Sequence, residues 1–316
     1  MKGLTDIAGI KVGHASDFDA LTGCTVILCE AGAVAGYDLR GSASGTQELD
    51  VMSPGHVTER IHAVCFAGGS AFGLEAASGV RRYLEHKGVG FQTGAAVVPL
   101  VPSAILYDLG IGKANVRPTR EMGEAAAAAA TDEAVKEGCV GAGTGATVGK
   151  TLGMKQAMKG GVGTFTVEAA GALVSALAVV NALGDVVDAK TGAIVAGARK
   201  AADSREFANG AEVVLRGRLG KGFRGGNTTL VVVATNARLS KVQAMKLAQY
   251  GQQGVVRAIS PVSTMSDGDI AIALSVGEKE AGIDSLGVGA AEAVAQAIVR
   301  AVRAAKTMGG VPGLAG

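Results

Sequence analysis

The residues most able to do chemistry in this chain are Asn227 and Thr228, which sit where a glycine-rich loop meets a strand. Gly222, Gly225 and Gly226 run into Asn227-Thr228-Thr229, and residues 230–234 are then apolar and β-branched, the pattern of a buried strand. Glycines tolerate the strained backbone that would present the Asn227 carbonyl to the Thr228 hydroxyl. Attack there shifts the acyl group from nitrogen to oxygen, and water then opens the ester and leaves Thr228 as a new N-terminus. Its α-amine, with an intrinsic pKa of about 7.7–8.0, can act as base for its own side chain. Taken by itself, a glycine-rich stretch before a strand is more often an ordinary turn. The tripeptide also fits the N-x-T glycosylation pattern, but residues 1–10 have no apolar core of signal-peptide length, so a cytoplasmic protein is expected.

Other polar residues compete for roles. Lys150 closes a glycine-rich loop at residues 141–149 and is either a solvated surface charge or a cation delivered to a site. Gly149-Lys150-Thr151 imitates the end of a phosphate-binding P-loop, but Thr144 stands where the first glycine belongs. Asn181 interrupts an apolar run, where an unpaired amide is costly to bury, so it needs a partner: a local turn, or a developing oxyanion. Asp267 and Asp269 flank Gly268 in a turn motif whose carboxylates can instead orient a hydroxyl or an amine. Tyr107 reads equally as packing.

Composition bounds the rest. The chain has 316 residues, a formal net charge of +2 and no basic stripe, which argues against nucleic acid as a partner. With 49 Gly and no Trp it favours close backbone packing. Cys24, Cys29, Cys65 and Cys139 lack C-x-x-C spacing and read as buried thiols. His14, His56, His62 and His86 lack zinc-motif spacing, so no metal is expected. The apolar stretch 169–183 is too short for a bilayer, which needs about 20 residues, so no membrane partner is expected.

The elements that must position these residues mix strands with helices, some of the strands running consecutively. Strands are predicted at 24–29, 62–67, 163–167, 171–181, 186–187, 230–234 and 270–276, with extended segments at 97–101 and 103–109. Helices are predicted at 71–86, 121–137, 241–258 and 290–308, the third behind a capping box of Ser240 and Gln243. Residues 32–55 read as loops and a hairpin, and 204–226 as an exposed linker. The expectation is one α/β domain, a sandwich rather than an open parallel sheet.

The motifs together resemble a known family. Gly225-Gly226-Asn227-Thr228-Thr229-Leu230 followed by Ser266-Asp267-Gly268-Asp269, with Gly68-Gly69-Ser70-Ala71-Phe72-Gly73, residues 101–108, Gly141-Ala142-Gly143-Thr144-Gly145 and Asn181, is similar to the self-cleaving L-aminopeptidase/D-esterases, β-peptidyl aminopeptidases and nylon-oligomer hydrolases. The resemblance implies an αββα sandwich like the N-terminal nucleophile hydrolases, a single catalytic domain over 1–316, and cleavage into an α chain (1–227) and a β chain (228–316). It implies no cofactor, and homo-oligomers of αβ units, a tetramer among them. By motif, Thr228 matches the nucleophile, Asn181 the oxyanion-side residue, Tyr107 a substrate-site tyrosine, Asp267 and Asp269 the pair orienting the nucleophile, and Lys150 a lysine of the nylon-oligomer branch. Ile105 stands where the aminopeptidase branch carries an acid for the substrate amine, which favours a hydrolase of linear oligoamides or internal peptide bonds. A broad aminopeptidase, an acyltransferase like the ornithine acetyltransferases, and a P-loop-like nucleotide binder are the alternatives.

Overall fold

The computed structural model describes residues 1–220 and 226–315, so Gly222 and Gly225 lie outside the described residues. Nine strands hydrogen-bond into one continuous system: β1 (Lys11–Asp17), β2 (Thr22–Leu39), β3 (Thr46–Gln47), β4 (Ile61–Ala67), β5 (Ser103–Ile105), β6 (Gly161–Ala169), β7 (Ala172–Asn181), β8 (Thr228–Ala237) and β9 (Ile270–Lys279). Their order is β6-β7-β8-β9-β2-β4-β5-β3, with β1 on the first half of β2.

Strand β2 turns this system into two layers. Residues 22–28 pair with β1 and β4, whereas residues 34–39 pair with β9. The register slips between Leu28 and Ala33, where Gly32 takes a φ of +84°. A strand that switches sheets at a bulge makes a corner. The two sheets then face each other across a shared core of Ile27, Val64 and Phe66 from one side and Leu177, Leu230 and Val232 from the other.

Side-chain alternation decides what covers the outer faces. Val231 and Val233, offset by one from Leu230 and Val232, pack with Ala176 and Ala271 beneath helices α3 (Lys241–Ala258) and α4 (Ile283–Arg303), in chain order after α1 (Ala76–His86) and α2 (Arg120–Ala128). Val26 and Cys65 lie beneath α1 and α2. The architecture is an αββα sandwich, as the motifs imply. Its glycines let helix backbones rest on strands: an ideal Cβ on Gly163 would lie 2.1 Å from the Ala297 carbonyl oxygen of α4. Among the described residues α4 is the one helix long and apolar enough to cross a membrane, and here it is a core helix packed on β6 and β7. The four cysteines are buried and free, and burial pushes the Cys29 and Cys65 thiols up to about 12.

Several boundaries differ from expectation. Residues 32–39 are not loop but the continuation of β2 into the second sheet. The second helix stops at Ala128, because Thr131 leaves it to form an antiparallel bridge with Val12. The last helix starts at Ile283 and ends at Arg303. Residues 204–220 are only partly exposed and not a plain linker: Asn209 caps a short helix, Gly210–Leu215, and the Gly210 N–H donates to the buried Asp185 carboxylate at 2.6 Å. The capping box before α3 forms as expected, with the Ser240 hydroxyl accepting from Gln243 N. Ser240→Ala is expected to cost about 1 kcal/mol of stability, read as a lower thermal midpoint; an unchanged midpoint would show that water replaces the cap.

Candidate active site

Three adjacent strands end together. The antiparallel register of β7 and β8 closes with Asn181 opposite Thr228. The parallel register of β8 and β9 sets Leu230 beside Ile270, which brings the Asp267-Gly268-Asp269 turn alongside residues 227–229. Lys150 arrives from a separate loop, docked by Gly149 N to Gly184 O at 2.9 Å and Lys150 N to Leu183 O at 2.8 Å. These contacts put the loop next to the segment that follows Asn181.

At the centre, Thr228 is buried, and its hydroxyl donates to the carbonyl oxygen of Asn227 at 2.5 Å. That oxygen also accepts the Gly268 N–H at 2.8 Å. A backbone donor aimed at a carbonyl inside a dry site stabilises any negative charge that develops there. Gly268 cannot carry a side chain without disturbing the hydroxyl. An ideal Cβ would lie 2.9 Å from Thr228 Oγ1 and 2.8 Å from the Ala43 carbonyl oxygen. Gly268→Ala should therefore displace the hydroxyl and slow any reaction at this carbonyl by about a hundredfold, measured as conversion of full-length chain to fragments; conversion at the wild-type rate would show that the turn relaxes away.

One residue upstream, a second carbonyl also meets two donors. Gly226 O accepts from Asn181 Nδ2 at 3.0 Å and from Lys150 Nζ at 3.1 Å. The Asn181 side chain is fully satisfied: Nδ2 also donates to the Tyr107 carbonyl at 3.2 Å, and Oδ1 accepts from Thr147 N and Lys150 Nζ, both at 3.0 Å. Lys150 Nζ adds a bond to the Asn181 carbonyl at 3.0 Å, so an ammonium has all its donors used. Burial pulls this amine down to about 7, against the attraction of Asp267. The Lys150 amine is thus held against Asn181 and Gly226 at the edge of the site and is not a solvated surface charge.

The aspartates act on backbone. Asp269 Oδ1 accepts Thr229 N–H at 2.7 Å, and Oδ2 accepts Ser263 N and Oγ. Asp267 accepts Thr264 N–H and hydroxyl on one oxygen and Leu183 N–H on the other. In the intact chain the bonds of these carboxylates fix the residue after the hydroxyl and the turn that carries Gly268. Burial, and then the neighbouring Asp267 charge, raise Asp269 to about 6.

A cavity of about 380 Å³ opens against this centre, lined among others by Tyr107, Lys150, Met154, Leu219, Asn227 and Ser266. Gly226 and Asn227 form part of its wall, and the buried Thr228 contributes nothing to it. Asp108 also lines it, with its carboxylate accepting Gly69 N–H and the Thr22 hydroxyl, both at 2.7 Å. Neither Gly268 N–H nor Asp108 had a role in the sequence reading; Asp108 stands beside Tyr107 in a motif singled out there, which is the signal that could have found it. Ile105 packs in the core beneath α1. Among the described residues no group of His, Cys, Asp and Glu comes together in a way that could hold a metal ion. The P-loop reading fails on geometry: residues 141–143 make a single 3-10 turn and Lys150 is followed by turns, so no helix N-terminus faces a phosphate.

The αββα sandwich with a hydroxyl at the start of a central strand is that of the N-terminal nucleophile hydrolase fold. An L-aminopeptidase D-Ala-esterase/amidase from Ochrobactrum anthropi, described as a new variant among that fold, superposes with a TM-score of 0.73 at 21% identity over 98% of this chain and 88% of the other. A Burkholderia sp. beta-aminopeptidase gives 0.69 at 25% identity over 99% and 90%. The profile of peptidase family S58 matches residues 2–315, and the chain belongs to that family of peptide hydrolases. Similar sequences include an "uncharacterized aminopeptidase" of Mycobacterium leprae, 37% identical over 99% of this chain and 93% of the relative, and a 6-aminohexanoate-oligomer endohydrolase of Kocuria sp., 31% identical over 86% and 74%.

Proposed function

We propose that the chain is an N-terminal threonine amide hydrolase that matures by cutting its own Asn227–Thr228 bond. The observation that carries this reading is the Asn227 carbonyl oxygen, which accepts both the Thr228 hydroxyl and the Gly268 N–H. Thr228 Oγ adds to the Asn227 carbonyl carbon as its proton passes to the Lys150 amine, which returns it to the Thr228 nitrogen, and Gly268 N–H steadies the oxyanion. The C–N bond then breaks, the Thr228 nitrogen takes a proton, and an ester joins Asn227 to Thr228 Oγ. Water opens the ester, giving an Asn227 carboxylate and restoring the hydroxyl. In turnover the freed Thr228 amine takes the proton of its own hydroxyl as that oxygen attacks a substrate amide, and water releases the acyl group. Asp269 holds Thr229, and with it the nucleophile, through this cycle.

The single domain thus becomes an α chain of residues 1–227 and a β chain of residues 228–316, working in the cytoplasm as an oligomer of αβ units. Linear oligoamides or peptides are the substrates, since Ile105 is apolar and buried and offers no charge to a substrate ammonium. The names of the mycobacterial relatives favour a second reading, a broad aminopeptidase.

Intact mass spectrometry with N-terminal sequencing of the purified protein tests the proposal. Two fragments, the smaller beginning at Thr228 and together active on aminoacyl amides or linear oligoamides, are expected. One full-length species inert toward all of them would overturn it.

A further inference from the structure

If the chain cuts itself between Asn227 and Thr228, its own loop is the first amide substrate the site has held, and the contacts of that loop describe the acyl side of later ones. We infer that Lys150 and Asn181 form a subsite for a second carbonyl, one α-residue upstream of the bond to be cut, and that the mature enzyme therefore prefers N-acylated α-aminoacyl amides. The proposal rests on the self-cleaving reading above and names its substrate class.

The argument starts from which donor meets which oxygen. The carbonyl under attack, Asn227, is met by Gly268 N–H and the Thr228 hydroxyl. The Asn181 amide and the Lys150 amine both converge on Gly226 instead. Both donors are fixed from behind: Asn181 Oδ1 by Thr147 N, and Lys150 by its bonds to Asn181 and by the backbone docking of its loop. They are pre-organised for an acceptor at that place. Hydrolysis frees Gly226-Asn227 as a chain end, and once that end leaves the cavity wall the donors face empty space beside the nucleophile.

An acyl group refills the subsite only if it carries a carbonyl at the same spacing. Consecutive carbonyls of an α-peptide are separated as Gly226 and Asn227 are. A β-residue sets the second oxygen further off, and a 6-aminohexanoyl unit several methylenes further still. An aminoacyl amide with a free α-amine has no upstream carbonyl and would bring an ammonium toward Lys150, an unfavourable pairing whenever that amine is protonated.

The test compares para-nitroanilides on the mature wild-type protein, after intact mass has established whether the chain is cut. The acylated substrate is N-acetyl-alanine para-nitroanilide. Its partners are an alkanoyl anilide of the same length and branching, with methylenes in place of the acetamide, and the free-amine alanine anilide. The acetylated compound should exceed the alkanoyl one about tenfold to a hundredfold in kcat/KM, the worth of two hydrogen bonds to one oxygen. It should also exceed the free amine. Asn181→Leu, assayed if it matures, should bring the first ratio close to one whatever it does to the absolute rate. A cut, active enzyme that treats the acetylated and alkanoyl substrates alike, or that prefers the free amine, overturns the subsite and leaves the hydrolase standing. An uncut protein inert toward every anilide overturns both.

Discussion

Thr228→Ala is expected to accumulate as one full-length chain, inactive on any amide, whereas Thr228→Ser, which keeps a hydroxyl, is expected to yield both fragments. The hydroxyl is the group the proposed reaction consumes and restores. Its hydrogen bond is to the carbonyl of the residue before it, so removing it breaks no tie between strands. The backbone pairing of β8 with β7 and β9 remains, as does the Thr229 N–H bond to Asp269. The variant should therefore fold and keep a cooperative thermal transition close to that of the uncut wild-type chain. That separation matters, because loss of cleavage from an unfolded chain would say nothing about the nucleophile. A folded Thr228→Ala protein that still divides at residue 227 would place the attacking group elsewhere and end the mechanism.

The strand that carries Thr228 was legible because its signal is local. Residues 230–234 are apolar in a row, with β-branched valines at 231–233, and a strand buried on both faces, with Leu230 and Val232 on one side and Val231 and Val233 on the other, needs that pattern. Thr228 and the flanking Asp267-Gly268-Asp269 turn could be named for the same reason. The partners could not, because they are set by register. Gly268 contributes a backbone N–H, which no side-chain pattern reports, and it meets Asn227 only because β8 and β9 run parallel with Leu230 beside Ile270. Lys150 could be read as a surface charge, since the backbone contact with Leu183 and Gly184 that docks its loop involves no side chain. The elements misjudged in length fail in the same way. Gly32 breaks a pattern locally, yet β2 continues past it because a second sheet is waiting to pair with it. The glycines near the start of α4 argue against helix in isolation, but an ideal Cβ on Gly287 would lie 2.3 Å from the Tyr250 ring, so close helix packing demands the gap.

Maturation and turnover should also differ in the group that takes the proton, and Lys150→Arg is expected to separate them. Before cleavage the Thr228 nitrogen is an amide with no basic lone pair, so the amine that serves in turnover does not yet exist. Lys150 supplies an amine beside the cut: it bonds Gly226, one residue before the scissile bond, and Asn181, the strand partner of Thr228. Burial has brought it down to about 7, so a neutral fraction is present near physiological pH. The sign follows directly. Below about 7 the ammonium cannot accept a proton, and as pH rises through that value the rate of self-cleavage should climb and level off. An arginine keeps hydrogen-bond donors but stays protonated, so the variant should mature roughly 10²–10⁴ more slowly and lose the rise through neutrality. Asp269 works in the same direction at lower pH, since its carboxylate must be ionised to hold both Thr229 and Ser263, and it is raised to about 6. The measurement is the time course of cleavage of freshly translated chain across the neutral range. Wild-type speed and an unchanged profile in Lys150→Arg would move the base to the Asp267 and Asp269 pair and leave Lys150 with the upstream carbonyl alone.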